Sequence, residues 1–370
     1  MKRIGLRLLP LALFLVSCGG GSTSSSALEG GVSDGGIDAT PASDVGDAPL
    51  ESGDVAAMTI DAAVDVTIDN RPATDATTVA DATTVSDATT GTDGGTLPSP
   101  LPVGFPAGSA ARTESKSLAG PISKQAIGFN VYLPPGYAES GLRYPTVYDL
   151  HGLGGSQYDN GQWVIPSLEA AMKAKLIGPV IVVFPEGLPE SYYTDSKDGK
   201  APSETRIIRD LIPYIDATYR TVAHRQLRAV TGFSMGGYGA MELATKFPDV
   251  FRAGVAYDAA LDTWTTLVGR RAYIATAQFG DDEAYFNLYS PWANATKNAA
   301  ALRASSALRL VPGTQYQMFD AAFRDHLAGI VPLPVPLDYV ETTCPHDYGC
   351  ALGAQGAKSW TFIQSAFEKR

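Results

Sequence analysis

Along the second two-thirds of the chain, short apolar runs alternate with longer amphipathic stretches, and this alternation restricts the fold more than any other sequence feature. Phe129–Leu133, Thr146–Leu150, Val180–Pro185, Leu227–Thr231, Phe251–Ala256 and Leu308–Val311 have the length and the β-branched or aromatic content of strands. Val180–Phe184 is apolar at every position, the pattern of a strand buried on both faces. Between these runs the spacing predicts helices over residues 167–177, from Ser203 through Ile207, Ile208, Leu211, Ile212 and Ile215, and from Gly236 or Gly237 to Phe247. Further helices are expected over residues 320–328 and from Trp360 to Phe367, with a last strand near Asp338–Val340. Strands that alternate with helices imply an α/β fold: a mostly parallel central sheet with helices on both faces.

The part before this domain has a different composition. Residues 18–102 are dominated by Gly, Ser, Thr, Ala and Asp, and contain a hexad at Asp75, Asp81 and Asp87 that begins Asp-Ala-Thr-Thr each time. Such a segment has too little apolar surface to offset its ordering entropy, so it is expected to be a disordered tether. Some 85 residues of this kind reach roughly 50 Å on average. The hexads are too few and too polar to stack as a solenoid. Of the formal net charge of −11, most belongs here: residues 19–100 hold 14 acids and one base. Residues 103–370 are therefore close to neutral and offer no electrostatic basis for nucleic-acid binding. Their number suffices for one large single-core domain.

The first 17 residues read as a signal peptide: Lys2, Arg3 and Arg7 precede an apolar run, Leu8–Val16, too short to span a bilayer. Leu15-Val16-Ser17-Cys18 resembles the lipobox of bacterial lipoproteins. That resemblance implies cleavage before Cys18, acylation of its thiol, and export with a lipid anchor. With glycine and not aspartate at position 19, the outer membrane is the expected location.

The chemistry centres on Gly232-Phe233-Ser234-Met235-Gly236. An apolar run precedes this G-x-S-x-G motif and a glycine-led helix follows it, the setting in which a sharp turn pushes a serine hydroxyl out at a strand's carboxyl end. The Met235 N–H, at a helix N-terminus, is then placed to stabilise an oxyanion. The competing reading is a glycine-rich packing turn with an idle serine.

These residues, together with Val131–Tyr137, Tyr144–Tyr148, His151-Gly152-Leu153-Gly154-Gly155 and Ser290-Pro291, resemble the putative-esterase family of α/β-hydrolases. Feruloyl esterases, S-formylglutathione hydrolase and mycobacterial mycolyltransferases belong to that family. The resemblance implies the α/β-hydrolase fold, a serine nucleophile at Ser234, and a second oxyanion donor at Leu153. His151 reads as a structural residue of its turn, because in this fold the base follows the nucleophile in sequence. Among the four histidines, His224 and His326 fit surface positions, whereas His346 follows the last expected strand, where the order Ser, acid, His puts the base. Pro345-His346-Asp347-Tyr348 takes the place of the family's glycine-rich histidine loop.

The acid is less legible. The family often carries an aspartate shortly after a Gly-Thr that follows the strand Leu308–Val311, but here the stretch reads Gly313-Thr314-Gln315-Tyr316. Asp320 is the expected acid, with Asp325 as an alternative and a helix N-cap as the competing role for Asp320. Cys344 and Cys350 bracket His346 and, in an exported protein, suggest a disulfide. A zinc site built on them with His346 lacks a fourth ligand, and two reduced thiols are the remaining reading. Trp163, Tyr192, Tyr193, Asp258 and Trp264 follow expected strands, where pocket walls form, but equally suit ordinary packing.

The expected activity is two-step ester hydrolysis through an acyl-enzyme on Ser234, which needs no cofactor and no metal. The resemblance suggests an esterified polysaccharide as substrate. An acyltransferase with a sugar acceptor is the alternative within enzymes. A non-catalytic hydrolase-fold binding protein, motivated by the missing aspartate at position 316, is the alternative outside them.

Overall fold

The structure is a computed structural model in which Val103, Gly104 and Pro106–Lys369 are described. The expected signal segment, the tether and Cys18 lie outside the described residues. Eight strands form one sheet: β1 Arg112–Ala119, β2 Ala126–Leu133, β3 Thr146–Leu150, β4 Ile181–Pro185, β5 Arg228–Phe233, β6 Ala253–Tyr257, β7 Ala307–Val311 and β8 Asp338–Tyr339. Their spatial order is β1-β2-β4-β3-β5-β6-β7-β8. β2 pairs antiparallel with β1 and β4, and every later neighbour pairs in parallel. This is the α/β-hydrolase fold.

The register explains the apolar runs. In β3, β4 and β5, neighbouring residues face opposite cores: Tyr148, Val183 and Val230 one, Val147, Val182 and Ala229 the other. Both faces are buried, so a period-2 alternation of apolar and polar residues is absent from these strands. The wider-turn segment Arg206–Leu211, which follows the short helix Ser203–Thr205, and helices Ile212–Thr218 and Met235–Lys246 contribute to the first core. Helices Gly161–Lys173 and Tyr348–Glu368 contribute to the second, through Val164, Leu168, Met172, Trp360, Ile363 and Phe367. Burying each of these larger side chains contributes roughly 1.5–3 kcal/mol before ordering costs.

Several elements depart from the sequence expectation, among them helices Trp264–Phe279, Glu283–Asn287, Pro291–Lys297 and Ala299–Ser305, which it lacked, and two departures have a clear physical reason. β1, Arg-Thr-Glu-Ser-Lys-Ser-Leu-Ala, is largely exposed and pairs with β2 along its whole length, yet carries no apolar alternation, because an edge strand needs little side-chain burial and is protected by its charges. The last helix starts at Tyr348, not at Trp360. Gly349, Gly353 and Gly356 depress its intrinsic propensity, but close packing compensates: a Cβ on Gly356 would come 2.5 Å from Ser167 Oγ.

β3 lies between β4 and β5, so the strand order reverses there. In open α/β sheets ligands bind beyond the carboxyl ends of the strands at such a reversal. The turn His151–Gly155 follows β3 and Ser234 follows β5, which places both at that edge.

Candidate active site

Ser234 has φ 58° and ψ −121°, a backbone conformation that L-residues rarely adopt, between the last residue of β5 and the first of helix Met235–Lys246. The flanking glycines are steric requirements. A Cβ on Gly232 would lie 2.1 Å from Gly236 O, and one on Gly236 would lie 2.0 Å from Leu150 O. The strained residue is held by its own backbone: Ser234 N–H donates to Tyr257 O at 3.0 Å, and Ser234 O accepts from Tyr238 N at 3.0 Å and Ala260 N at 3.1 Å.

The Ser234 hydroxyl lies 2.9 Å from His346 Nε2, and His346 Nδ1 lies 2.5 Å from Asp258 Oδ2. The tautomer that satisfies both contacts carries its proton on Nδ1, donates to Asp258 and accepts from Ser234. The structure therefore brings Ser234 and His346 together, as the sequence suggested, but the carboxylate facing the imidazole is that of Asp258. Its side chain has no solvent exposure, and its second oxygen, Oδ1, accepts from Gly313 N at 2.9 Å and Tyr316 N at 3.0 Å.

The expectation of Asp320 as the acid is corrected by this geometry. Asp320 sits in the first turn of helix Gln317–Gly329 and does not reach His346; its Oδ2 accepts from Ala259 N at 3.1 Å. It is not the N-cap either, since Tyr316 holds that position. Asp325 is exposed and paired with Arg324. The segment Gly313-Thr314-Gln315-Tyr316 supplies backbone donors to the acid in place of an acid of its own. A Cβ on Gly313 would lie 2.9 Å from Asp258 Cγ and 2.9 Å from Cys344 O, so only glycine fits. The signal that could have identified Asp258 is its place directly after β6, the strand beside β5.

Several contacts hold the imidazole. The His346 ring stacks on Phe233 at a 4.4 Å centroid distance and meets Tyr316 edge-on at 4.9 Å. Phe233 stacks in turn on Tyr348 at 5.1 Å. Cys344 and Cys350 form a disulfide with a Cα–Cα distance of 5.7 Å, and Cys344 O accepts from Thr314 N at 2.9 Å. Asp347 caps the closing helix by accepting from Cys350 N at 2.6 Å. Beneath the loop, the buried Asp149 carboxylate accepts from Asn160 at 2.7 Å, Thr231 at 2.5 Å and Tyr348 OH at 2.8 Å, tying β3, β5 and the closing helix together.

On the other side of Ser234 lies the turn after β3. A Cβ on Gly152 would lie 3.6 Å from Ser234 Cβ, so this turn approaches Ser234 closely. The amides of Met235 and Leu153 have no hydrogen-bond partner among the described residues. His151 is buried; its Nδ1 lies 2.8 Å from Gly152 O and its Nε2 accepts from Gly187 N at 3.0 Å. The second bond requires a neutral ring, and burial pushes the His151 imidazole below its ordinary value. His151 thus fastens the β4 loop to the β3 turn. His224 caps the short turn Arg225–Leu227, and His326 bonds to Trp292 O and Thr296.

Tyr192 and Tyr193, considered as pocket walls, are fully buried. Tyr192 OH donates to Asp262 at 3.0 Å and Tyr193 OH to His151 O at 2.9 Å. Trp264 packs on Phe286 at 5.6 Å. Trp163 remains half-exposed, 2.9 Å from where a Cβ on Gly349 would sit.

The family model described as "Putative esterase" matches residues 120–321, a span that includes Ser234 and Asp258 and ends before His346. Esterase Rv1288 of Mycobacterium tuberculosis is 39% identical over 123 residues, 32% of this chain and 26% of that protein. An endo-1,4-beta-xylanase/feruloyl esterase of Xylanibacter ruminicola is 32% identical over 133 residues, 33% of this chain and 18% of that protein. The matched part thus spans about a quarter or less of these curated relatives. Among solved structures, a ferulic acid esterase superposes with a TM-score of 0.59 at 20% identity, covering 69% of this chain and 98% of that one. The S-formylglutathione hydrolase of Staphylococcus aureus superposes with a TM-score of 0.58 at 19% identity, covering 69% of this chain and 100% of that one. At these identities the structural likeness speaks for the fold.

Proposed function

Since this chain belongs to the putative esterase family, we propose that it hydrolyses carboxylic esters through an acyl-enzyme on Ser234. The observation that carries the reading is the unbroken contact from Ser234 Oγ to His346 Nε2 at 2.9 Å and from His346 Nδ1 to Asp258 at 2.5 Å. His346 takes the hydroxyl proton as Ser234 Oγ attacks the ester carbonyl. Asp258 keeps the ring in the productive tautomer and stabilises the imidazolium. The Met235 and Leu153 N–H groups are the donors toward the oxyanion, the first at a helix N-terminus, and without partners of their own they need not break another bond to serve. Collapse of the tetrahedral intermediate passes the proton from His346 to the leaving alcohol; water then repeats the sequence and frees the acid.

The reading of a non-catalytic binding protein rested on the missing aspartate at position 316, and a carboxylate from β6 at His346 removes that motive. The feruloyl esterase among the relatives makes polysaccharide-linked acyl groups the first substrates to try. The lipobox-like Leu15–Cys18 supports anchoring through Cys18 at the outer membrane; palmitate labelling of the parent but not of Cys18→Ala checks this. The esterase reading is tested by p-nitrophenyl acetate turnover of the full chain beside Ser234→Ala. The substitution should cut kcat by about 10³-fold or more; equal rates would overturn the reading.

A further inference from the structure

Asp320 has no role in the proton relay, yet it is placed with unusual care. Its side chain is completely buried, one oxygen accepts the Ala259 N–H at 3.1 Å, and the other oxygen has no partner among the described residues. No ion pair among the described residues includes it: on its own helix Arg324 pairs with Asp325, and the neighbouring Asp258 pairs with His346. Ionised, Asp320 would be a second negative charge beside Asp258, with a single N–H donor and no cation, in surroundings that screen poorly. A buried carboxyl in that position is more stable with its proton on.

The groups that face it agree. The Asp258 carboxylate, in the loop after β6, disfavours a second charge; the Tyr339 phenol on β8 brings no cation; Arg324, on the same helix, is half-exposed and paired with Asp325. Burial first, and the charge of Asp258 second, hold the Asp320 carboxyl well above the usual carboxylate range.

The peptide that Asp320 grips is the important one. Asp258 itself has φ 37°, the left-handed region that a β-carbon disfavours. Its own N–H is fixed by Val311 O at 2.9 Å and its carboxylate by Gly313 and Tyr316. The next N–H along, that of Ala259, is fixed by Asp320, and the one after it, that of Ala260, by Ser234 O. Without the Asp320 contact, the peptide that follows the strained residue would lose its anchor between acid and nucleophile.

We infer that Asp320 is a positioning residue that works as an uncharged acid, gripping the Ala259 N–H and so holding Asp258 in line with His346. The kinetic arm of its test rests on the esterase reading; a spectroscopic arm does not. Asp320→Asn keeps an acceptor for Ala259 N–H and lacks charge at any pH, whereas Asp320→Leu removes the acceptor. With p-nitrophenyl acetate at pH 7, the Asn variant should keep kcat within about threefold, and the Leu variant should lose about tenfold or more in kcat with KM little changed. Infrared difference spectra of the parent against Asp320→Asn at pH 7 should show one protonated carboxylic C=O band that the variant lacks. An Asn variant as impaired as Leu, a Leu variant with full kcat, or no loss of an acid band would overturn the inference. Should Asp320→Leu fail to fold, as judged by thermal unfolding, the Asn variant and the band decide. Should Ser234→Ala match the parent's rate, the esterase reading falls while the band still reports whether Asp320 holds its proton.

Discussion

Replacing Asp258 by asparagine tests the assignment of the acid most directly, because the structure dictates which way the new amide must face. Asp258 Oδ1 accepts from two backbone N–H groups, Gly313 at 2.9 Å and Tyr316 at 3.0 Å. In Asp258→Asn that position must be occupied by the amide oxygen; the opposite flip would set an NH2 against two donors and forfeit two buried hydrogen bonds at about 1–3 kcal/mol each. The NH2 is therefore forced toward His346 Nδ1, which must then accept. The ring proton moves to Nε2 and points at Ser234 Oγ, where it prevents the imidazole from taking the hydroxyl proton. A wrong-tautomer histidine of this kind costs about ten-thousandfold in kcat, close to 5.4 kcal/mol of barrier at 1.36 kcal/mol per tenfold. KM for p-nitrophenyl acetate should hardly move, since the lost interaction belongs to the transition state. The thermal midpoint should shift little, because all three heavy-atom contacts survive. The assay is steady-state hydrolysis of the full chain at pH 7 to 8 with Asp258→Asn and Asp320→Asn side by side. If Asp258→Asn stayed within about tenfold of the parent while Asp320→Asn fell a thousandfold, the tautomer argument and the choice of acid would both be wrong.

Three further outcomes are expected. Ser234→Gly, inactive like Ser234→Ala, should be more stable than it by about 1 kcal/mol in urea unfolding, because glycine relieves the cost of φ 58°; equal stabilities would mean that the turn stores no such strain. His151 folds as a neutral ring with its value lowered by burial, so its contribution is fully present above the unfolded-state value of 6.5 and is lost as pH falls through the lowered folded value. Stability should therefore decline on acidification by up to about 1.4 kcal/mol per pH unit, and a slope unchanged in His151→Gln would contradict this. Reduction of the Cys344–Cys350 disulfide opens a loop of about seven residues and should cost about 2 kcal/mol, with a several-fold fall in kcat as the His346 backbone loosens; unchanged kcat after verified reduction would remove the bridge from catalysis.

What the sequence revealed follows a physical line. β3, β4 and β5 were legible because strands buried on both faces carry apolar residues at successive positions, and Ser234 because a sharp strand-to-helix turn admits few residues besides glycine around it. His346 was singled out by chain order together with its resemblance to the family's histidine loop. Asp258 was not, because its identification depends on which strand lies beside β5, a fact of three-dimensional order; Asp320, nearer in sequence to the expected place, accepts from the Ala259 N–H instead. β1 escaped notice because an exposed edge strand carries no burial pattern, and the start of the closing helix because three glycines, of which Gly349 and Gly356 serve packing, lower the local helix propensity. Leu153 N–H could be named only through resemblance: a backbone donor leaves no mark in the identity of its own side chain.

That the carboxylate comes from β6 leaves the loop after β7 with an unusual freedom. Gly313 and Tyr316 serve Asp258 with main-chain amides, while Thr314 and Gln315 between them are exposed. Those two positions can be diversified, by drift or by a library, without replacing any group that touches Asp258, so the exposed surface of this loop and its buried main-chain support can vary independently.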